Sequence, residues 1–270
     1  MIRYPHIDPV ALHLGPLQIH WYGIMYVVGF VAAWWLARRQ AARPGSTWRV
    51  QDVDDLIFWA MLGVILGGRI GYVLIYGRDL WRADLFYPFK IWEGGMSFHG
   101  GLAGVIIGLV FFARSRGRKA LDVMDFTALL PGIGICAVRI GNFINGELWG
   151  APTTSNWGFL VPDPAGGAPL VRHASQLYEA GLEGLGMFLL LWWYARKPRP
   201  KGAIVGLGLV YYAIVRSIVE LVRVPDAQIG YLAGEWLTMG QLLSLPMFLA
   251  GAVLLLRAKM QPQPSGNFKA

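Results

Sequence analysis

The chain has 270 residues, 55% of them hydrophobic and 15% charged. Soluble domains carry about 25% charged residues, so this balance excludes an ordinary soluble domain and points to a membrane protein. The formal charge of +8 does not mark a nucleic-acid binder, because the basic residues fall in short clusters between apolar runs, as in loops that face anionic lipid.

The single cysteine, Cys136, excludes an intrachain disulfide and any zinc site built on cysteines. Residues 1–18 lack the basic segment, apolar core and small-residue cleavage site of a signal peptide, so the first apolar run is expected to stay as a helix. Seven candidate spans follow: 19–37, 56–76, 98–113, 123–143, 176–195, 203–222 and 239–256. Most approach the ~20 residues that cross ~30 Å of hydrocarbon. The third is short and rich in glycine, with Gly100, Gly101, Gly104 and Gly108.

Lysine and arginine set the expected orientation. Fifteen lie in the loops after spans one, three and five and in the tail, against six in the N-terminus and the alternate loops. The N-terminus is therefore expected outside and the C-terminus in the cytoplasm. The whole, residues 1–270, is expected to be a single all-α membrane domain. Residues 77–97, with Trp81, Phe86, Tyr87, Phe89 and Trp92, read as an interfacial arm. Residues 144–175, with two tryptophans and four prolines, read as a small extracytoplasmic cap. No internal repeat is visible.

The chemistry is expected where polar groups enter these apolar runs. Arg139, at the end of the fourth, costs roughly 3 kcal/mol or more at membrane depth. It can snorkel to the interface, but Asn142, Asn145 and Glu147 follow at once and together resemble the wall of a polar cavity. Arg216 and Glu220 lie four apart, on one face of the sixth span. A self-neutralising pair is a weak explanation for them, since desolvation consumes most of the Coulombic gain. His99 opens the third span and admits three roles: general base, phosphate donor, or structural bond to backbone. Tyr22, beside Trp21, reads from composition as one member of an aromatic belt. Arg69, inside the second span, is expected to pair with Glu179 or Glu183 of the fifth. Cys136 reads as a small apolar residue.

At least two arginines in a cavity at lipid depth suit a phosphate, which guanidinium forks bind bidentately. The simplest ligand is a phospholipid headgroup. No Ser-His-Asp set, H-E-x-x-H or P-loop signature occurs at membrane depth, so a nucleophile would arrive with a substrate.

The stretch Arg139-Ile140-Gly141-Asn142-Phe143-Ile144-Asn145-Gly146-Glu147-Leu148-Trp149-Gly150 closely resembles the signature of the bacterial prolipoprotein diacylglyceryl transferases. Accessory blocks occur in the same order: Trp21-Tyr22-Gly23, Ser97-Phe98-His99-Gly100-Gly101, residues 173–179, and Arg216 to Glu220. Arg223, residues 225–228 and residues 239–241 extend the match. The resemblance implies a seven-span inner-membrane enzyme. It would move the diacylglyceryl group of phosphatidylglycerol onto the lipobox cysteine thiol of a prolipoprotein signal peptide, releasing glycerol 1-phosphate, with no metal or cofactor. Carried over by residue, the family's essential positions fall on Tyr22, His99, Arg139, Asn142, Glu147, Gly150, Arg216 and Glu220. Arg139 and Arg216 would hold phosphate, oriented by Glu147 and Glu220. Asn142 and Tyr22 would bond headgroup oxygens, and His99 would take the thiol proton, for which the ordinary imidazole pKa of about 6.5 is suited. The alternative is a lipid or solute transporter with a phosphate-binding intramembrane site. It would be expected to show inverted repeats and charges reaching both sides.

Overall fold

The structure is a computed structural model that describes residues 1–5, 7–15, 17–162, 166–225 and 230–262. In chain order, the short strands β1 (Ile2–Arg3), β2 (Val10–Leu14) and β3 (Leu17–His20) precede α1 (Trp21–Ala41) and α2 (Val50–Ile75). Next come α3 (Arg78–Ala83), two single 3₁₀ turns, and α4 (Phe98–Ser115). α5 (Ala120–Ala128) and α6 (Pro131–Ile144) lead to β4 (Phe159–Val161) and β5 (Leu170–Arg172). α7 (Ser175–Tyr178) runs through a π-helical stretch, Glu179–Gly186, into α8 (Met187–Tyr194). α9 (Ala203–Val219) and α10 (Met239–Lys259) complete the chain.

Every expected span carries helix, but the expected fourth span is not one rod. α5 and α6 meet at a 45° bend. Pro131 opens α6 and has no N–H to continue the ladder of α5. The indole N–H of Trp192 donates to the Leu129 carbonyl at the break, 2.8 Å away. Among the described residues, α2 and α10 are each long and apolar enough to cross a membrane, and the bent pair makes a third if it counts as one span. The strands add a feature that the all-α expectation left out. β1 pairs parallel with β4, β4 pairs antiparallel with β5, and β2 and β3 form a hairpin.

The chain divides into two compact units, Met1–Leu36 with Asp125–Ala270, and Ala37–Met124. In the second, α2 and α4 meet along a seam of glycines. A Cβ added at Gly63 would lie 2.4 Å from the Gly104 carbonyl oxygen, and one at Gly67 would lie 2.3 Å from that of Gly100. Such backbone contact is how helices associate where lipid removes the hydrophobic drive. Ser97 caps α4, accepting from the Gly100 amide at 3.2 Å, while its own amide donates to the Gly68 carbonyl at 2.8 Å.

The expected pairing of Arg69 with Glu179 or Glu183 is corrected: among the described residues its partners are main-chain carbonyls. The residue is 3% exposed, and its guanidinium donates to carbonyls of residues 87–95. Nε reaches Pro88 at 3.0 Å, Nη2 reaches Lys90 at 3.0 Å and Tyr87, and Nη1 reaches Gly95 at 3.2 Å and Gly94. Five N–H donors in a planar fork match a ring of carbonyls as an ammonium cannot. Arg69→Lys is therefore expected to loosen residues 87–95 despite its conserved charge. Limited proteolysis should cut that segment at least about tenfold faster than in the wild type, if roughly 1.4 kcal/mol of local stability is lost. Equal rates would refute the clamp. Lys90 also meets the Asp84 carboxylate at 2.7 Å, and that bond holds the carboxyl below its usual range.

In the first unit, small residues again set the spacing. A Cβ on Gly184 would lie 2.6 Å from the Cys136 amide nitrogen, so α6 and the π stretch pack main chain to main chain. Asp125 accepts from the amides of Gly202, at 2.6 Å, and Val205, at 2.9 Å, and so caps the start of α9. The Tyr4 hydroxyl shares its proton between the Phe143 and Ile144 carbonyls, at 2.8 and 2.7 Å, which closes the end of α6. Burial pushes that phenol's pKa up. The rings of Tyr4, Phe143, Trp149 and Phe159 cluster there, with Tyr4–Phe143, Tyr4–Trp149 and Phe143–Phe159 in T-shaped contact and Trp149–Phe159 tilted.

Candidate functional site

The π stretch is where the site begins. A π turn adds a residue within a helix and is frequent at functional positions. Here it carries Glu179 and Glu183, both fully buried. Three guanidinium groups converge on Glu179. Arg139 Nε stands 2.7 Å from Oε2, Arg216 Nη1 stands 3.4 Å from Oε2, and Arg223 Nη1 stands 3.3 Å from Oε1. Arg216 also meets Glu183 at 3.3 Å and forms an i,i+4 ion pair with Glu220. Arg223 Nε lies 3.8 Å from Glu220. Gly240, at the first turn of α10, leaves room for the Glu220 carboxylate, whose Oε1 lies 2.4 Å from where a Cβ would be.

The signature loop attaches through a short relay. Arg139 Nη1 donates to Asn142 Oδ1 at 3.3 Å, and Asn142 Nδ2 donates to Glu147 Oε1 at 2.7 Å. The loop itself is held by backbone. Gln176 Nε2 donates to the Glu147 carbonyl at 2.6 Å, and Ser175 Oγ to that of Leu148 at 2.7 Å. Those bonds hold Leu148 at φ 59°, a left-handed conformation unusual for a branched residue.

The expected residues fall as follows. Arg139, Asn142, Glu147, Arg216 and Glu220 belong to one connected polar network within the first unit. Among the described residues, Glu147 connects to Arg139 through Asn142 and not directly as a carboxylate–guanidinium pair. Tyr22 lies in the first turn of α1, its Cα close to Gly141 and its hydroxyl 3.2 Å from that of Tyr26. Gly150 is wedged between main chains: its amide donates to the His173 carbonyl at 2.8 Å, and a Cβ there would lie 2.4 Å from the Val222 carbonyl oxygen. That packing fixes the course of the loop. His99 stands in the first turn of α4, in the second unit. Residues 226–228 of the extended resemblance lie outside the described residues.

Sequence reasoning missed the hub. Glu179, Glu183 and Arg223 were not placed in the site, although two glutamates one turn apart in an apolar run were a readable signal. Among the three arginines, Arg139 has the most exposed side chain, at 22% against 14% for Arg216 and 11% for Arg223. It is the guanidinium best placed to meet a ligand. The carboxylates orient the forks, and a cluster of guanidinium groups is chemically suited to a phosphate.

The model of the prolipoprotein diacylglyceryl transferase family matches residues 9–257. The chain belongs to that family. Curated members are similar over nearly their full length. The phosphatidylglycerol–prolipoprotein diacylglyceryl transferase of Nitratidesulfovibrio vulgaris is 55% identical over 257 residues, covering 95% of this chain and 96% of the relative. Its namesake in Oleidesulfovibrio alaskensis is 55% identical over 254 residues, with 94% of both chains covered. That of Pseudomonas fluorescens is 52% identical over 267 residues, with 99% of both covered. The matched residues include the loop just described and the polar network that it joins.

Proposed function

We propose that the chain transfers the diacylglyceryl group of phosphatidylglycerol to the lipobox cysteine of prolipoproteins, the first step of bacterial lipoprotein maturation. The observation that carries this reading is the gathering of Arg139, Arg216 and Arg223 on one buried carboxylate beside the family signature. A phosphate is the ligand such a cluster suits. The names of the relatives supply the lipid and the acceptor.

In the reaction, the thiol sulfur attacks the carbon of the diacylglycerol moiety that is bonded to the phosphate oxygen. The C–S bond forms and the C–O bond breaks, its electron pair going to the phosphate oxygen and releasing glycerol 1-phosphate. Arg139 and Arg216 stabilise the charge that develops there. Asn142 and Tyr22 bond headgroup oxygens, and Glu147 and Glu220 hold their partners. His99 takes the thiol proton.

The chain is further proposed to span the inner membrane seven times, with the N-terminus outside. Residues 77–97 would form an interfacial arm, residues 144–175 an outer cap, and the active site would face the outer leaflet. Helix over all seven expected stretches and the asymmetry of the basic loops support this. A transporter is not favoured, given the family.

The test is incubation of the purified protein with phosphatidylglycerol and a lipobox peptide. Glycerol phosphate is expected to appear with the cysteine peptide and not with its serine counterpart. Release without the thiol would overturn the reading. In the same assay His99→Gln is expected to lower the rate about 10²–10⁴-fold at neutral pH. A normal rate would remove His99 as base and leave the transfer reaction standing.

A further inference from the structure

Glu183 is a buried acid that the transfer mechanism leaves unused. It lies fully buried in the π stretch, about one turn from Glu179. The main chain beside it is pressed against α6. A Cβ on Gly132 would lie 2.8 Å from the Gly184 carbonyl oxygen, and one on Gly184 would lie 2.6 Å from the Cys136 amide nitrogen.

The two acids of the stretch are not held alike. Both oxygens of Glu179 meet guanidinium groups: Oε2 is 2.7 Å from Arg139 Nε, and Oε1 is 3.3 Å from Arg223 Nη1. Glu183 Oε1 is 3.3 Å from Arg216 Nη1, a nitrogen that also lies 3.4 Å from Glu179 Oε2. Glu183 Oε2 is buried and has no hydrogen-bond partner among the described residues. Around Glu183, the charged and titratable groups among the described residues are Arg216 and Tyr212 of α9, Arg139 of α6, and Glu179 of its own stretch. A buried, ionised oxygen without a partner is far costlier than a neutral carboxyl in the same place. Two carboxylates that share one site cannot both ionise cheaply. Glu179 is bridged by three arginines and Glu183 by Arg216, so the geometry decides which of them gives way.

We propose that the pair holds one proton, on Glu183, and that Glu183 positions Arg216 as a neutral acceptor. Oε1 accepts from Arg216 Nη1 and fixes the direction of the guanidinium. The proton on Oε2 keeps Glu183 from cancelling the charge that Arg216 offers to phosphate. Arg216 already faces the carboxylates of Glu179 and Glu220, and a third negative charge there would oppose an anionic headgroup. The positioning role rests on the transfer reaction proposed above, whereas the proton does not.

Infrared spectroscopy of the purified protein at neutral pH reads the proton directly. The wild type is expected to show the carbonyl band of a protonated carboxyl, and Glu183→Gln is expected to lose it. A wild type without the band, or a band of equal intensity in Glu183→Gln, would overturn the proposal. Kinetics in phosphatidylglycerol, at saturating lipobox peptide, test the positioning. Glu183→Leu is neutral but offers no acceptor, and its KM is expected to rise about tenfold, the loss of one hydrogen bond to a charged group. Glu183→Gln keeps a neutral acceptor and is expected to recover most of that loss. KM does not depend on how much of each preparation is folded. If Glu183→Gln raised KM as far as Glu183→Leu, Arg216 would need a charged carboxylate and the neutral acceptor would be refuted. A wild-type KM in Glu183→Leu would refute the positioning role. If the wild type released no glycerol phosphate yet showed a band that Glu183→Gln lacks, the transfer reading would fail and the proton would keep its place.

Discussion

Glu179→Gln is expected to lower kcat about 10²–10³-fold and to destabilise the protein. The residue is fully buried and faces three guanidinium groups, so the change leaves cations whose shared counter-charge is gone. Removing one partner from a buried ionic cluster costs on the order of 3–5 kcal/mol. Glu183 and Glu220 still face Arg216, whereas Glu179 is the carboxylate that Arg139 meets directly. Arg139 is thus expected to lose its aim most. Thioether formation followed by mass spectrometry, with thermal unfolding in detergent, separates the two effects. A variant that kept wild-type kcat would show that the cluster is not centred on this carboxylate.

The second large effect is expected at a glycine. In Gly150→Ala the new methyl would stand 2.4 Å from the Val222 carbonyl oxygen and 3.0 Å from the His173 Cβ. Neither neighbour is the free end of a flexible side chain. The main chains must part, which puts at risk the bonds from Gly150 to His173, Ala151 to Val222 and His173 to Ala151. Overpacking of this kind costs about 1–3 kcal/mol, and each lost bond adds about 1 kcal/mol. The signature loop would shift with them, and activity is expected to drop at least about 10²-fold. Gly181→Ala is the matching control, since no atom of a neighbouring element among the described residues lies within 4 Å of where its methyl would stand. It is expected to be tolerated, with a helix-propensity gain of up to ~1 kcal/mol. Equal behaviour of the two variants would refute the wedge.

Much of this was legible in the residues. Apolar runs located the helices, because their signal is local and repeated over many positions. The signature loop announced itself by setting Arg139, Asn142 and Glu147 at the edge of such a run. What stayed hidden was partner choice. Arg69 and Arg139 look alike in sequence, each an arginine in a greasy segment. One fills a ring of carbonyls and the other meets a carboxylate. That difference depends on which segments fold back beside them, and no local pattern records it. Pro131 is a local signal of the bend that the expected span 123–143 did not use. The strands near the signature were too short for alternation to reveal them.

The parallel pairing of Ile2 and Arg3 with Phe159 and Leu160 has a consequence for the order of events during synthesis. Ile2 and Arg3 find these partners only after synthesis has run on as far as Phe159 and Leu160. Until then the end of α6 lacks the Tyr4 hydroxyl that closes it. Contacts so distant along the chain are the slow ones to form. The helices can thus be in place while the signature loop is still unfastened, and the strand of Ile2 and Arg3, made long before its partners, is among the last to lock it.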